Sequence, residues 1–400
     1  MTQSLPILVA GGGIGGLAAA MVLAQDGHRV TVLEQSAAFG EIGAGIQLGP
    51  NIFRMFDYLG LTDAVNRVAF FPPGLGMNDV RTGERVVRVP LGNVARAAYG
   101  FPYGVIYRAD LHDVFLQACQ RLPNVTLRTN AKVESFTQSA DEVRVTLTSG
   151  ESLTGAALAG ADGLWSRIRE SIVGDGKPRV SGHIAYRAVL KREDVPAHLW
   201  SDDVLLWGGE KTHLVHYPLR RGELFNLVAV FHSNKYDEGW NTFGDTAELT
   251  ERFAQAHPQV RELLGKIETW KMWVLCDREP VRNWSDRRVT LLGDAAHPML
   301  QYLAQGAGQA IEDAVVLREA LRHTRGDVAR SFQLYQQARY LRTGRVQLTA
   351  RFYGDIYHAS GVQRELRNQM FQGGQEAAGF AGLKWMYEGI NPRTLFQEAA

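Results

Sequence analysis

Three glycines near the start of the chain have a spacing that suits a phosphate-binding turn. Gly11, Gly13 and Gly16 form the pattern G-x-G-x-x-G, and Glu34 follows at roughly the 20-residue separation expected of an acid that holds a ribose hydroxyl. In such a turn the first glycine allows a tight bend, the second lets a pyrophosphate approach the backbone, and the third lets helix and strand pack closely. The pattern predicts a dinucleotide site. The alternative is a close-packed glycine turn that binds nothing.

A histidine further along the chain could exchange a proton. Residues 212–217 have the composition of a strand, so His213, Val215 and Tyr217 would share one face of it. An imidazole with the ordinary pKa of about 6.5 is suited to accepting a proton near neutral pH. The alternative is a hydrogen-bonded histidine on a sheet face, and periodicity alone does not decide between the two.

Two later segments combine a buried strand with an acidic residue in a glycine turn. The first ends in Asp162-Gly163 and the second in Gly293-Asp294. Asp162 could simply cap the helix that follows it. Residues 306–308 then open another predicted helix, so a second glycine-rich turn meets a second helix N-terminus. Such an end can hold an anion or the electron-rich edge of a ring.

The elements that must position the first motif are present around it. An apolar run ending at Ala10 predicts a short buried strand, and apolar residues from Leu17 to Ala24 recur at helical spacing. A second apolar run, 30–33, predicts a strand that ends at Glu34. The free N–H groups and the positive dipole end of the helix would meet the anion. Asn51 is expected to cap a later helix.

Charge and composition exclude several classes of function. Lys+Arg 43 against Asp+Glu 42 gives a net charge of +1, so no nucleic-acid or polybasic membrane surface is expected. Cys119 and Cys276 are the only cysteines, which predicts neither disulfides nor a C-x-x-C site, and we expect no metal site. The N-terminus does not resemble a signal peptide, and no apolar run reaches the roughly 18 residues of a membrane span. We expect a cytoplasmic protein.

The length of 400 residues favours more than one domain. Consecutive strand patterns from about 181 to 275 predict a sheet-based domain after the nucleotide-binding part. The chain after 335 is predicted to be helical. Whether that helical tail packs on its own chain or on a second subunit is left open.

The three motifs together resemble the group A flavoprotein aromatic hydroxylases, which have the p-hydroxybenzoate hydroxylase fold. The motifs are the G-x-G-x-x-G with Glu34, Asp162-Gly163, and Gly293-Asp294 followed by Ala295 to Pro298. The resemblance implies an α/β fold with a Rossmann-like FAD-binding domain interleaved with a β-sheet substrate domain. The implied boundaries are 1–75, 102–178 and 276–335 for the FAD-binding domain, 76–101 and 179–275 for the substrate domain, and 336–400 for a helical C-terminal region.

The resemblance implies FAD as cofactor and assigns residues to it. Gly11, Gly13, Ile14, Gly15 and Gly16 would hold the pyrophosphate, Glu34 the adenosine ribose, Val133 the adenine, Arg108 the phosphates or ribityl chain, Asp294 the ribityl chain, and Gly306, Ala307 and Gly308 the flavin ring. Gln47 joins this cofactor-binding set, and Asp162 would touch both the flavin side and a nicotinamide cofactor. The chain shows no second G-x-G-x-x-G, which fits a family whose NADH or NADPH binds transiently without a Rossmann domain of its own.

The same resemblance implies the chemistry. In this family the reduced flavin reacts with O2 to give a C4a-hydroperoxide, which hydroxylates an electron-rich ring. Because a free phenol has a pKa of about 10, a base must help to form the phenolate. The resemblance makes His213 the base or hydrogen-bond partner of the phenol, with Gln301 sharing that contact and Tyr217 lining the pocket. Loop packing remains an alternative role for Gln301.

The segment from Pro298 to Ala307, with His213 and Tyr217, most resembles the members that act on 3-hydroxybenzoate. This implies hydroxylation para to the hydroxyl group, which gives gentisate, although no arginine identifies itself as the carboxylate partner. One alternative is a salicylate 1-hydroxylase, which releases CO2 and forms catechol. Another is a flavin-binding sensor without turnover. The expected partners are a small aromatic hydroxy acid, O2 and a second copy of the chain in a homodimer.

Overall fold

The structure is a computed structural model that describes residues 5–40, 43–234, 242–372 and 382–397. The strands are β1 Ile7–Ala10, β2 Val30–Leu33, β3 Gly45–Leu48, β4 Gly74–Asp79, β5 Arg85–Pro90, β6 Gly104–Tyr107, β7 Val125–Arg128, β8 Val133–Gln138, β9 Val143–Leu147, β10 Ser152–Gly155, β11 Ala157–Gly160, β12 Arg179–Lys191, β13 Val204–Gly209, β14 Thr212–Leu219, β15 Leu224–His232, β16 Thr242–Phe243, β17 Lys271–Asp277, β18 Ser285–Asp286 and β19 Val289–Leu291. The helices are α1 Ile14–Gln25, α2 Pro50–Tyr58, α3 Thr62–Val68, α4 Asn93–Tyr99, α5 Arg108–Gln120, α6 Arg167–Ile172, α7 Thr246–Arg252, α8 Pro258–Leu264, α9 Gly306–His323, α10 Val328–Tyr357, α11 Gly361–Gln372 and α12 Lys384–Tyr387.

A six-stranded sheet carries the glycine and acid motifs at one edge. Its order is β18-β19-β11-β1-β2-β7, and all neighbours are parallel except β18 and β19. The carboxyl ends of parallel strands lie at the same edge of a sheet. Gly11, Glu34, Asp162 and Gly293 follow β1, β2, β11 and β19, which are four adjacent strands. Motifs far apart in the sequence therefore meet at one edge, where ligands of open α/β sheets bind.

Glycine is required where α1 leaves the first strand. Gly11 has a φ of +109°, a value that L side chains rarely adopt, and a Cβ on Gly16 would lie 2.0 Å from the carbonyl oxygen of Gly11. A Cβ on Gly15 would lie 2.9 Å from the Cβ of Ala310 in α9. The N-terminal turn of α1 thus packs against both its own strand and α9.

An eight-stranded sheet forms the second layer of the molecule. Its order is β16-β17-β12-β15-β14-β13-β4-β5, and every pair is antiparallel except β13 and β4. One face packs on α7 and α8 through residues such as Leu214 and Trp270. The opposite face, which includes Tyr217 and Val230, packs against Tyr302 and α10. This confirms the expected mixed α/β class, whereas the exact domain boundaries stay a prediction.

Two smaller antiparallel sheets complete the strands: β8, β9 and β10 form one, and β3 pairs with β6.

The prediction that Asn51 caps a helix is wrong. Gly49 is the N-cap and α2 begins at Pro50, so Asn51 lies inside the helix. Its buried side-chain amide donates to Gln305 at 3.0 Å and to Glu312 at 2.9 Å. Within the described ranges none of the helices combines the length and apolar character that crossing a bilayer needs.

Candidate active site

Two helix N-termini lie at the motif-bearing edge without side-chain caps. The N-cap of α1 is Gly13 and that of α9 is Gln305, and neither residue provides a side-chain acceptor for the first backbone N–H groups of its helix. Neither helix has an acidic residue in its first turn. The first backbone N–H groups and the positive dipole ends are therefore available for an anion. Ile14, Gly15 and Gly16 belong to the first of these turns, and Gly306, Ala307 and Gly308 to the second.

Glu34 and His112 hold the glycine turn from two sides. The Glu34 carboxylate accepts hydrogen bonds from the backbone N–H of Gly12 at 2.7 Å and of Ser36 at 2.8 Å. The Nε2 atom of His112 lies 2.8 Å from the carbonyl oxygen of Gly12. Because each carboxylate oxygen can accept a further bond, Glu34 can also receive a ribose hydroxyl. The role of His112 was missed because nothing in the local sequence of α5 links it to the turn.

Asp162 caps the helix that follows it. Its carboxylate accepts hydrogen bonds from the Ser166 hydroxyl at 2.6 Å and from the backbone N–H groups of Arg167 at 2.9 Å and Ile168 at 3.3 Å. Burial raises the pKa of Asp162, although these hydrogen bonds oppose the change. Asp162 thus contributes to the capping of α6 together with the N-cap residue Ser166, and contact with the flavin or a nicotinamide remains a prediction.

Asp294 lies beside the start of α9 and is influenced by the charge of Arg108. The Asp294 residue is exposed at the surface. Desolvation of its carboxyl by the surrounding protein nevertheless raises its pKa. The charges of Arg108 and His297 act in the opposite direction. A Cβ on Gly306 would lie 3.9 Å from an Asp294 carboxylate oxygen. The Asp294 carboxyl therefore lies beside the N-terminus of α9 and is influenced by the charge of Arg108.

This arrangement fits FAD. Two uncapped helix N-termini suit the pyrophosphate and the electron-rich edge of the flavin, while Glu34 and Asp294 are carboxyl acceptors for hydroxyl groups. Val133 begins β8, and the segment before it runs beside Glu34 through a hydrogen bond from the backbone N–H of Ala131 to the Glu34 carbonyl, at 2.8 Å. The structure brings these predicted residues together, and their individual contacts with FAD stay predictions.

A buried ionic network supports the turn at Gly293. Asp313 in α9 accepts hydrogen bonds from the backbone N–H of Gly293 at 2.8 Å and from Arg339 at 2.7 Å. His297 lies 2.6 Å from the same carboxylate, and Arg339 also pairs with Glu312 at 2.6 Å. Burial acts to raise the pKa of Asp313, but the nearby positive charges lower it to about 2. His297 is therefore a structural residue of the turn.

His213 belongs to a cluster of imidazoles at one end of the eight-stranded sheet. It is 2% exposed, and its Nδ1 atom lies 2.7 Å from Nε2 of His358, which follows α10. The Nδ1 atom of His358 lies 3.1 Å from Nε2 of the partly buried His232. Burial, with smaller effects from His183 and His232, lowers the pKa of His213 to about 3. Its imidazole is neutral at physiological pH.

The expectation of no metal site is not tested by the structure. Nitrogen atoms of His183, His232 and His358 lie within 4.8 Å of one another, a spacing that could also hold a metal ion. His183 is in addition hydrogen-bonded to the hydroxyl group of Tyr302. These histidines come from β12, β15 and the end of α10, so no local sequence spacing could reveal their proximity.

Tyr217 lies four residues along β14 from His213, on the same face of the strand, and is buried. A Cβ on Gly45 would lie 2.7 Å from its ring and hydroxyl oxygen, so Tyr217 packs directly on β3. Gln47 of β3 bonds to Tyr217 and accepts a hydrogen bond from the Tyr103 hydroxyl at 2.6 Å. Burial raises the pKa of Tyr217, which keeps the phenol protonated. Gln47 thus contacts the tyrosines of the substrate side, and its role toward FAD stays a prediction.

Gln301 contacts an arginine that sequence reasoning missed. Its side-chain oxygen accepts a hydrogen bond from Arg187 of β12, whose guanidinium carbon lies 5.4 Å from the Trp273 ring centroid. Burial lowers the pKa of Arg187 to about 10, with Tyr217 acting against the change and Arg108 adding to it. Arg187 stands alone in a strand pattern with no motif around it, so only the fold places it here.

Comparison with known proteins gives a consistent picture. Residues 4–346 match a family model described as an FAD binding domain. A 3-hydroxybenzoate 6-hydroxylase of Polaromonas naphthalenivorans is 45% identical over 383 residues, 96% of each chain, and one of Klebsiella oxytoca is 43% identical over 387 residues, 97% of each chain. Among solved structures, Klebsiella pneumoniae HpxO complexed with FAD and uric acid has a TM-score of 0.86 and 27% identity, covering 97% of this chain and 98% of that one.

Proposed function

The chain belongs to the FAD-binding aromatic hydroxylases, and from this premise we propose that it hydroxylates 3-hydroxybenzoate para to its hydroxyl group to give gentisate. The observation that carries the proposal is the position of His213. Its ring centroid lies 5.6 Å from that of Tyr302, in the segment that joins Asp294 to α9. A neutral, buried proton acceptor therefore lies beside the turns that fit the flavin.

FAD, when bound, supplies the activation of O2 and the transfer of a hydroxyl group, and the protein supplies position and electrostatics. The N-terminus of α1 would hold the pyrophosphate, Glu34 the ribose, Asp294 the ribityl chain and the N-terminus of α9 the flavin edge. The substrate would lie between the α9 side and the sheet face that carries His213 and Tyr217. His213 and Tyr217 are each 2% exposed, so a substrate in contact with them would be shielded from bulk water.

His213 would accept the proton of the substrate phenol. Since its low pKa disfavours a lasting imidazolium, the proton must move on from His213. The hydrogen-bonded series from His213 through His358 to His232 gives that route, because each imidazole can accept at one nitrogen and release at the other. His232 is only partly buried, so the series leads toward solvent.

Further partners belong to the same proposal. NADH or NADPH would reduce the flavin, O2 would be the second substrate, and the protein would act in the cytoplasm. A homodimer is supported by apolar side chains on α10 and α11 that are more than half exposed. They are Leu341, Leu348, Phe352, Val362, Leu366 and Met370. The three on α10 recur at 7- and 11-residue separations and so share one face, which a second copy of the chain would cover.

The test is a panel of monohydroxybenzoates with measured NADH or NADPH consumption and chromatographic identification of each product. We expect coupled turnover of 3-hydroxybenzoate to gentisate. Catechol formed from salicylate would instead support a salicylate 1-hydroxylase. Absence of any substrate-stimulated nicotinamide oxidation in the flavin-loaded protein would support a sensor.

A further inference from the structure

Arg187 is a partly buried cation without a carboxylate partner among the residues that the structure describes. Its guanidinium bonds to the Gln301 side-chain oxygen and lies near the Trp273 ring. Its Nε atom is shielded from solvent and has no hydrogen-bond partner. An amide and an aromatic face do not neutralise the charge, so the site is electrostatically incomplete.

Two arginines that are fully buried in this molecule are paired with carboxylates. Arg169 bonds to Asp175 at 2.7 Å, and Arg339 bonds to Asp313 at 2.7 Å. Burying a charge is costly unless it is paired and hydrogen-bonded. The contrast with these two side chains indicates that the partner of Arg187 is supplied from outside the chain.

Arg187 faces the same space as the proposed phenol-binding residues. In the eight-stranded sheet, Arg187 is opposite Val228, and Val228 is opposite Val215. Val215 lies between His213 and Tyr217 on one face of β14. The hydrogen bond from Arg187 to Gln301 joins this sheet face to the segment between Asp294 and α9. An anion bound here would lie beside the ring that His213 contacts.

We propose that Arg187 binds the carboxylate of the aromatic substrate through its guanidinium, and that Gln301 holds the guanidinium in position. This rests on the proposed function, because it assigns one end of that substrate. The phenol would contact His213, and the carboxylate would contact Arg187, so a buried imidazole and a partly buried guanidinium would fix the ring at both ends. Charge-assisted bonds of guanidinium to carboxylate are among the stronger polar contacts in proteins.

The proposal defines the class of ligand as an aromatic monocarboxylate. A neutral isostere such as 3-hydroxybenzamide leaves the partly buried guanidinium without its counter-charge. Removing one partner of a buried charge pair typically weakens binding by roughly 30-fold or more. The wild-type protein should therefore bind 3-hydroxybenzoate at least about 30-fold more tightly than 3-hydroxybenzamide.

The experiment measures Kd for both compounds by the change in flavin absorbance of the FAD-loaded protein. Arg187→Gln should weaken 3-hydroxybenzoate binding about 30-fold or more and leave 3-hydroxybenzamide nearly unchanged. Arg187→Lys should retain part of the preference for the acid, because lysine keeps the positive charge but lacks the planar set of guanidinium N–H donors. The matched control is Arg192→Gln, since Arg192 also stacks on an aromatic ring, Trp200, at 4.0 Å but is exposed.

An equal loss of affinity for acid and amide in Arg187→Gln, or an unchanged Kd for the acid, would overturn the proposal. If Arg187→Gln does not retain FAD, the wild-type preference for acid over amide and the Arg187→Lys variant decide the question. If wild-type protein does not hydroxylate 3-hydroxybenzoate, the proposed function fails. In that case the same titration is carried out with benzoate and benzamide. Loss of the preference for benzoate in Arg187→Gln would support a carboxylate-binding role for Arg187, and an unchanged preference would reject that role.

Discussion

At the scale of single residues, the fold holds His213 in the state that accepts a proton. Burial keeps its imidazole neutral, and the bond to His358 at 2.7 Å fixes the orientation of its ring. The position of His213 in a strand pattern could not by itself distinguish a catalytic histidine from a structural histidine on a sheet face. The neighbouring His216 points to the opposite face and contacts the Trp207 indole nitrogen at 3.0 Å.

His213→Ala should lower hydroxylation by about 10²–10⁴-fold, which is the usual contribution of a positioned acid or base. FAD occupancy should stay close to that of the wild type, because His213 is not among the cofactor-binding residues. Turnover under saturating substrate and the flavin absorbance of the purified variant provide the two measurements. His216→Asn is the matched control, since His216 is equally buried on the same strand. Wild-type turnover in His213→Ala would remove this residue from the mechanism.

The histidine cluster should also make stability depend on pH. In the unfolded chain these imidazoles take up protons below about pH 6.5, whereas the folded protein keeps the pKa of His213 at about 3 and that of His183 at about 4. The unfolded state therefore binds more protons in this window, so stability is lost as the pH falls from about 6.5 toward 4. Thermal unfolding of the FAD-loaded protein should show a falling Tm, and His358→Gln should reduce the slope. Equal slopes for both proteins would contradict the burial of neutral imidazoles.

At the scale of elements, local patterns predicted strand–turn–helix units well and distant contacts poorly. Gly11 with Glu34, and Gly293 with Asp294, lie within continuous segments whose apolar spacing identifies the flanking strand and helix. Arg187 and His358 have no such local signal, because they reach the site only through sheet pairing and the end of α10. Asn51 was misassigned because an asparagine before an apolar run resembles an N-cap, yet tertiary contacts with Gln305 and Glu312 place it inside α2.

The pairing of α9 with α10 should depend on Arg339. Its guanidinium bonds to Asp313 at 2.7 Å and Glu312 at 2.6 Å, and all three side chains are fully buried. Arg339→Met would leave two buried carboxylates without this partner, which should cost about 3–5 kcal/mol. Urea unfolding of the FAD-loaded protein measures the change. Arg330→Met on the exposed start of α10 is the control, and similar stabilities for the two variants would be inconsistent with a structural role for the network.

At the scale of the whole molecule, the six-stranded and the eight-stranded sheet both contribute residues to the candidate active site. The six-stranded sheet presents its motifs at one edge, and the eight-stranded sheet presents His213, Tyr217 and Arg187 toward the segment that contains Tyr302. The sequence predicted both layers and the family, whereas the contacts between layers required the fold. The exposed apolar stripes of α10 and α11 are the remaining feature of this scale, and they suit a second copy of the chain.

Leu341→Glu combined with Leu348→Glu should convert the proposed dimer into a monomer, because two charges would be placed on the apolar stripe of α10. Light scattering after size-exclusion chromatography gives the mass directly. Phe243→Glu is the control, since Phe243 is 64% exposed on β16, outside the two helices. A wild-type protein that is monomeric at micromolar concentration would reject the homodimer.

The most direct measurement is the mass spectrum of the product formed from 3-hydroxybenzoate by the FAD-loaded protein under ¹⁸O₂ with NADH or NADPH. Gentisate carrying one ¹⁸O atom is the expected result, because a flavin monooxygenase takes the oxygen from O₂ and the phenolate that we propose His213 forms favours attack at the para position. Recovery of unreacted 3-hydroxybenzoate, or of gentisate without the label, would contradict the assignment of this chain as a 3-hydroxybenzoate-hydroxylating monooxygenase.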